Sequence, residues 1–127
     1  MQRALGRDVI GMCASGGLPG EMHKLWQASF PGSYHMEYGF SCMGYEIAGG
    51  WGAKLADPSR DVIVMVGDGS YLLMNSDIYS SVLTGMKLIV VVCDNAGFAV
   101  IDRLQRAKGI PSFNNQLADT QIGRAHV

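Results

Sequence analysis

The chain has 127 residues, of which 48% are hydrophobic, and a formal net charge of −1. This length is sufficient for one domain with its own core, and so apolar a composition excludes an intrinsically disordered chain. The nearly neutral charge gives no electrostatic basis for binding nucleic acid or an anionic membrane, and no apolar run approaches the roughly 20 residues of a membrane-spanning helix. We therefore expect neither nucleic acid nor a membrane as a partner.

The three cysteines, Cys13, Cys42 and Cys93, are an odd number and form no C-x-x-C pair. Reduced structural thiols are the simplest interpretation, with Cys42 and Cys93 as small core residues. The first 17 residues contain no long apolar stretch of the kind that a signal peptide needs. Both observations predict a cytoplasmic protein.

Short apolar strands alternate with helical segments along the chain. In the first half, the pattern predicts a strand at 8–15, a loop at 16–20, a helix at 21–30, a loop-rich segment at 31–41, a glycine-rich helix at 42–56 and a turn at 57–60. In the second half, it predicts a strand running into a loop at 61–69, a helix at 74–85 that Gly85 closes, a strand at 86–95, and then a loop, a short helix and an irregular tail.

The predicted strands lack the inside/outside alternation of a sheet that has one face in water. Continuous apolar strands separated by helices favour an α/β fold, with a mainly parallel sheet in a three-layer α/β/α arrangement. In such sheets ligands bind beyond the carboxyl ends of the strands.

The last seven residues, QIGRAHV (121–127), match a translated reading frame of a common DNA-sequencing adapter. We interpret them as a non-native tail and exclude them from the functional interpretation. The predicted domain is then 1–120, and we expect it to be a truncated part of a longer chain.

The stretch Gly67-Asp68-Gly69 places a carboxylate between two glycines at the end of a predicted buried strand, and Asn95 ends the next strand. If the two strands are parallel neighbours, both side chains reach one space. A carboxylate, an amide oxygen and a loop carbonyl form the hard-oxygen set that Mg²⁺ prefers, completed by phosphate and water. The backbone N–H groups of Gly69 and Ser70 would face anionic oxygens. The pattern favours a magnesium-bridged diphosphate.

Simpler interpretations exist for each residue alone, because Gly-Asp-Gly is common in turns and Asn often stabilises them. A receiver-like or Mg²⁺-phosphatase domain that uses Asp68 alone is a further alternative. It leaves Asn95 and its spacing of 27 positions from Asp68 unexplained.

The stretch GDGSYLLMNSDIYSSVLTGMKLIVVVCDN (67–95) resembles the signature of thiamine-diphosphate-dependent enzymes of the acetolactate-synthase-like family. The resemblance implies a thiamine-diphosphate-binding fold in which Asp68, Asn95 and the main-chain oxygen of Gly97 hold Mg²⁺. Asp94 departs from the family pattern, which often has a second Asn there.

A second stretch, FSCMGYEIAGGWGAKLA (40–56), resembles the family segment that precedes Gly-Asp-Gly. The resemblance implies that Met43 wedges the cofactor into a bent shape and that the Ser41 carbonyl accepts a hydrogen bond from its aminopyrimidine. The loop 15–22 resembles a diphosphate-contacting loop, which implies backbone contacts from Gly17 and Leu18. The implied cofactor-binding set is Gly17, Leu18, Ser41, Met43, Gly67, Gly69 and Ser70.

Within this family, segments 16–26, 34–50 and 94–98 are most similar to a hydrolase that opens a small cyclic dione by breaking a C–C bond. In the family a glutamate from a different domain, across a subunit interface, activates the cofactor. We therefore expect a homo-oligomeric parent protein, no catalytic residue in this chain, and an inactive isolated fragment. The alternatives are a fragment of an acetolactate-synthase-like or 2-oxoacid-decarboxylating enzyme, and a non-catalytic cofactor-binding fragment. Glu37 could contact substrate or be structural, and we do not expect it to be a catalytic base.

Overall fold

The structure is a computed structural model that describes residues 2–117. The predicted tail at 121–127 and the end of the predicted domain at 120 lie outside those residues. Ten elements follow in chain order: α1 (Gln2–Leu5), β1 (Val9–Cys13), α2 (Gly17–Leu25), β2 (Tyr34–Met36), α3 (Tyr45–Ala56), β3 (Asp61–Gly67), α4 (Asp68–Met74), α5 (Asp77–Leu83), β4 (Ile89–Cys93) and α6 (Ala99–Ala107). None of the described helices is both long and apolar enough to cross a membrane.

The four strands form one parallel sheet in the order β2-β1-β3-β4. Strand β3 pairs with β4 so that Gly67 lies beside Cys93. This confirms the expectation that the carboxyl ends of these two strands are neighbours, and it brings Asp68 and Asn95 to the same edge of the sheet.

Helices cover both faces of the sheet and confirm the three-layer α/β/α prediction. On one face, Ile47 of α3 packs on β1 and β3, through a core that contains Met12, Val62, Val64 and Val66, and α5 adds Ile78. On the other face lies α2, whose Met22 is buried. Burial of these apolar side chains supplies the main driving force for the fold.

Helix α2 differs from its predicted bounds at both ends. It begins at Gly17, inside the segment predicted as a loop, because Pro19 lies in the first turn, where a helix needs no N–H donor. It ends at Leu25, since Trp26 is extended and packs against Gly11 and Tyr34. The predicted loop at 31–41 contains β2, which is too short to show a sequence period.

The predicted strand and loop at 61–69 and helix at 74–85 also need correction. Strand β3 ends at Gly67, and Asp68 and Gly69 form the first turn of α4. The helical segment breaks at 75–76, so α4 and α5 are separate helices. Gly85 has the positive φ of 68° expected of the residue that closes a helix, with the N–H of Met86 bonded to the carbonyl of Ser81.

Candidate site at the carboxyl edge of the sheet

The carboxylate of Asp68 is the most buried charged group at this edge, with no exposed surface. Its Oδ2 accepts a hydrogen bond of 2.6 Å from the backbone N–H of Gly97. This bond ties the end of β3 to the loop after β4. It leaves Oδ1 available for another partner.

The side-chain amide of Asn95 faces that oxygen. One of its two terminal atoms lies 3.3 Å from Oδ1 of Asp68 and 2.8 Å from the carbonyl oxygen of Gly97. If Nδ2 takes this position, it donates a hydrogen bond to each oxygen; if Oδ1 takes it, three acceptors converge and need a cation between them. Neighbouring ligands of octahedral Mg²⁺ lie about 2.9 Å apart when each bond is about 2.0–2.1 Å, so both separations suit that ion.

The backbone after β4 is bent so that the carbonyl of Gly97 can join this group. Ala96 and Gly97 both have positive φ, 63° and 146°. A Cβ on Gly97 would lie 2.0 Å from the carbonyl oxygen of Asn115, so only glycine fits there. The carboxylate of Asp94 accepts a bond of 2.9 Å from the N–H of Ala96, so the departure from the family pattern still stabilises the turn.

The two glycines beside Asp68 provide space. Gly67 has an ordinary φ of −74°, and a Cβ there would meet no atom within 4 Å. A Cβ on Gly69 would lie 2.6 Å from the ring of Phe98, which packs directly against the helix backbone. Both glycines adopt backbone angles open to any residue, so what they contribute is the absence of a side chain.

The turn before α3 carries the predicted pair Ser41 and Met43. Ser41 has the strained φ of 55°. The carboxylate of Glu37 holds this turn by accepting hydrogen bonds from the backbone N–H groups of Phe40 and Cys42, at 3.0 and 2.6 Å. The bond from Cys42 has the larger effect and that from Phe40 the smaller, and together they lower the pKa of Glu37. Glu37 therefore has a structural contact here, one of the two roles left open for it.

The start of α2 forms the remaining wall, with Gly17 and Leu18 in the first turn. Just before it, the hydroxyl of Ser15 is buried and has no hydrogen-bond partner among residues 2–117. An unpartnered buried hydroxyl costs free energy unless a ligand satisfies it. Its position fits a site for an anionic, hydrogen-bonding group.

All these parts enclose one cavity of about 290 Å³. The ten residues predicted for the site all line it: Gly17, Leu18, Ser41, Met43, Gly67, Asp68, Gly69, Ser70, Asn95 and Gly97. Within the described residues, no three His, Cys, Asp or Glu side chains form a metal-binding cluster. A cation here would instead use mixed carboxylate, amide and main-chain oxygens.

Sequence reasoning missed part of the cavity wall. The unpredicted lining residues come from the ends of β1 and β4, from the segments that follow them and from α6: Ser15, Gly16, Cys93, Phe98, Ala99, Val100, Ile101 and Leu104. The apolar spacing of Val100, Ile101 and Leu104 was the available signal. Cys93 is half-buried, and burial raises the pKa of its thiol, whereas Cys42 is exposed, so the expectation that Cys42 is a core residue is wrong.

Comparison with protein families shows the class to which this fold and site belong. Residues 14–122 match the family described as "Thiamine pyrophosphate enzyme, C-terminal TPP binding domain". The match covers most of the chain, and the chain belongs to this family.

The chain is also similar to curated proteins of bacilli. It is 47% identical over 116 residues to 3D-(3,5/4)-trihydroxycyclohexane-1,2-dione hydrolase 2 of Bacillus cereus, covering 91% of this chain and 18% of that protein. It is 47% identical over 112 residues to 3D-(3,5/4)-trihydroxycyclohexane-1,2-dione hydrolase of Bacillus anthracis, covering 88% of this chain and 17% of that protein. The chain thus spans less than a fifth of the length of these relatives.

Among solved structures, the fold is similar to the Rhodococcus jostii RHA1 thiamine diphosphate-dependent 4-hydroxybenzoylformate decarboxylase. The TM-score is 0.80 at 20% identity, over 91% of this chain and 22% of that one. At this identity the likeness concerns the fold, and it agrees with the thiamine-diphosphate-binding architecture.

Proposed function

We propose that this chain is the part of a thiamine-diphosphate-dependent hydrolase that holds the Mg²⁺ and the diphosphate. The convergence of oxygens from Asp68, Asn95 and Gly97 carries the proposal, because their separations of 2.8 and 3.3 Å suit adjacent ligands of one Mg²⁺. The other ligands of the ion would be diphosphate and water oxygens.

The residues around these oxygens would bind the rest of the cofactor. The backbone N–H groups of Gly69 and Ser70 lie in the first turn of α4, where they have no partner within the helix, and suit diphosphate oxygens. The buried hydroxyl of Ser15 suits another, near the backbone of Gly17 and Leu18. Met43 would support the cofactor from the turn before α3, with the Ser41 carbonyl as hydrogen-bond acceptor.

Bound thiamine diphosphate would supply the nucleophilic carbon for cleaving a bond next to a carbonyl group, and the chain would bind, orient and shield it. The substrate we propose for the complete protein is 3D-(3,5/4)-trihydroxycyclohexane-1,2-dione, which hydrolysis of a C–C bond would open to 5-deoxy-glucuronate in inositol catabolism. The names of relatives at 47% identity support this substrate. We further propose that the complete protein is a cytoplasmic homo-oligomer.

Titration of the complete protein with thiamine diphosphate, with and without Mg²⁺, tests cofactor binding. We expect Asp68→Asn to weaken Mg²⁺-dependent binding by about 100-fold, because a neutral amide replaces the only charged ligand of the proposed set. Asp94→Asn is the matched control: it removes the same charge one position from Asn95 and keeps an acceptor for the N–H of Ala96. Equal effects of the two substitutions would contradict the proposed metal site.

The reaction is tested by supplying the complete protein with the cyclic dione or with a 2-oxoacid such as pyruvate. Ring opening without decarboxylation supports the proposed hydrolase. Decarboxylation without ring opening would instead support the decarboxylating alternative, for which the fold of the Rhodococcus enzyme is the specific observation.

The isolated 127-residue chain can be assayed for activity to test whether it is only a cofactor-binding fragment or contains a complete active site. We expect it to show no turnover, because the activating glutamate of the family would come from another domain. Measurable ring opening by the isolated chain would contradict this expectation.

A further inference from the structure

Glu46, in the first turn of α3, is a buried carboxylate that the proposed cofactor site does not use directly. Only 1% of the surface of Glu46 is exposed. Burying a carboxylate among apolar groups is costly unless hydrogen bonds compensate. Its partners therefore indicate why a glutamate occupies this position.

The carboxylate of Glu46 bonds to two segments that lie far apart in the chain. The hydroxyl of Ser70 donates to it, with 2.9 Å to each carboxylate oxygen, and the backbone N–H of Gly44 lies 2.9 Å from Oε2. The N–H of Gly44 also lies 2.7 Å from Oγ of Ser70, so the three groups form a closed triangle. Burial has the largest effect on the pKa of Glu46 and raises it, whereas the backbone of Ser15, in a third segment, is among the groups that lower it.

Each of these segments contributes to the wall of the cavity. Ser15 follows β1, Gly44 directly follows Met43, and Ser70 lies in the first turn of α4. Gly44 is also in close contact with α4: its φ is 91°, and a Cβ there would lie 2.4 Å from the side chain of Met74. The turn at 41–44 is therefore joined to α4 both by packing against Met74 and by the hydrogen bonds among Gly44, Glu46 and Ser70.

The hydroxyl of Ser70 has one proton, and this geometry assigns it to Glu46. Its oxygen meanwhile accepts from the N–H of Gly44. The hydroxyl is then not available as a donor to a diphosphate oxygen. Only the backbone N–H of Ser70 remains for that purpose.

We propose that Glu46 is a positioning residue that fixes the Met43 turn relative to the start of α4, where the diphosphate would bind. The Ser70 hydroxyl then donates to Glu46 and does not bind phosphate. The inference rests on the proposed function, since it assigns roles around the same cofactor. An apolar residue could fill the space, but it would leave the Ser70 hydroxyl proton without its acceptor, and only the direct bond from the N–H of Gly44 to Oγ of Ser70 would still join the turn to α4.

The test compares two ligands of the complete protein in the presence of Mg²⁺. Thiamine diphosphate needs both the Met43 turn and the start of α4, whereas inorganic diphosphate needs only the latter. We expect Glu46→Ala to weaken thiamine diphosphate binding by about 10- to 100-fold, the usual effect of losing a group that orients a ligand-binding residue, and to change inorganic diphosphate binding by less than about 3-fold. General damage to the fold would weaken both ligands alike and would overturn the proposal.

Two further variants make the test independent of the folding of Glu46→Ala. Glu46→Gln keeps the shape of the side chain and one oxygen that can accept from the N–H of Gly44 and the hydroxyl of Ser70, so we expect it to restore thiamine diphosphate binding to within about 3-fold. Ser70→Ala should produce the same selective loss as Glu46→Ala or a larger one, and the double variant should be no weaker than Ser70→Ala alone, because Ser70→Ala already removes the hydrogen bonds that join Glu46 and Gly44 to α4.

Three results separate failure of this inference from failure of the proposed function. Unchanged thiamine diphosphate binding by Glu46→Ala or Ser70→Ala would overturn the inference alone. A loss of inorganic diphosphate binding in Ser70→Ala would show that the hydroxyl binds phosphate and would also overturn it. Absence of Mg²⁺-dependent thiamine diphosphate binding by the unsubstituted protein would overturn the proposed function, and the inference with it.

Discussion

At the scale of single residues, the site depends on the absence of side chains at some positions as well as on the polar groups present at others. Asp68 accepts the N–H of Gly97 with one oxygen and leaves the other free, and Gly97 fits against the carbonyl of Asn115 only because it has no side chain. Gly69 similarly permits the ring of Phe98 to lie against the first turn of α4. The ligand geometry is thus set partly by missing side chains.

Gly69→Ala tests this packing. The added methyl would lie 2.6 Å from the Phe98 ring, so we expect a loss of about 1–3 kcal/mol of stability. We also expect weaker binding of the cofactor diphosphate. Thermal unfolding and cofactor titration of the complete protein measure the two effects.

Gly67→Ala is the control for that substitution, because a Cβ there meets nothing within 4 Å. We expect its unfolding midpoint to stay close to that of the unsubstituted protein. A second change, Phe98→Leu, should recover part of the stability lost in Gly69→Ala. If Gly67→Ala and Gly69→Ala destabilise equally, the contact with Phe98 is not the cause.

At the scale of elements, the sequence predicted strand positions and the parallel sheet better than it predicted helix ends. Apolar runs such as 88–93 identify buried strands directly. The end of α2 at Leu25 depends instead on a contact between distant segments, the packing of Trp26 against Gly11 and Tyr34. Propensity cannot reveal such a contact, so this boundary was misplaced.

The glycines of α3 give an element-scale prediction with an internal control. A Cβ on Gly50 would lie 2.3 Å from Val64 of β3, whereas one on Gly52 would meet no atom within 4 Å. We expect Gly50→Ala to push α3 away from the sheet and to cost about 1–3 kcal/mol. Gly52→Ala should add about 0.5–1 kcal/mol, because alanine favours the helix more than glycine does.

Thermal unfolding of both variants provides the measurement. Opposite shifts in the midpoint are the expected result. Similar shifts would mean that α3 does not rest on β3 through Gly50.

At the scale of the whole molecule, the sequence predicted residues that line one cavity because they are ordered along the chain by strand ends. Asp68 and Asn95 could be placed together from the parallel sheet alone, and all ten predicted residues line one cavity. Neither the wall from α6 nor the network around Glu46 follows from strand order, and the apolar spacing of Val100, Ile101 and Leu104 was the signal for the first alone. Both depend on how helices approach the edge of the sheet.

The two carboxylates beside the Met43 turn predict opposite effects of pH on stability. Burial raises the pKa of Glu46 above its ordinary 4.5, so the folded protein holds that proton more tightly than the unfolded chain. The contribution of Glu46 to stability is therefore largest below pH 4.5 and declines as pH rises through the raised pKa. Glu37 has a lowered pKa, so its contribution is present above pH 4.5 and is lost as pH falls through the lowered value.

Unfolding midpoints of the complete protein as a function of pH test both effects. Glu46→Gln should flatten the decline above pH 4.5, and Glu37→Gln should flatten the loss below it. A Glu46→Gln profile with the same slope as the unsubstituted protein would contradict the assignment to this carboxyl.

The strand order β2-β1-β3-β4 also determines when the site can appear during synthesis. Ribosomes release the chain from its N-terminus, so β1 and β2 can pair before β3 and β4 exist. Asn95 and Gly97 emerge only after β4. The backbone of Asn115, which lies against Gly97 and accepts the N–H of Phe98, emerges later still. The oxygens proposed to bind Mg²⁺ are therefore among the last parts of the domain to assemble, and under that proposal a nascent chain gains stability from the cofactor only near the end of its folding.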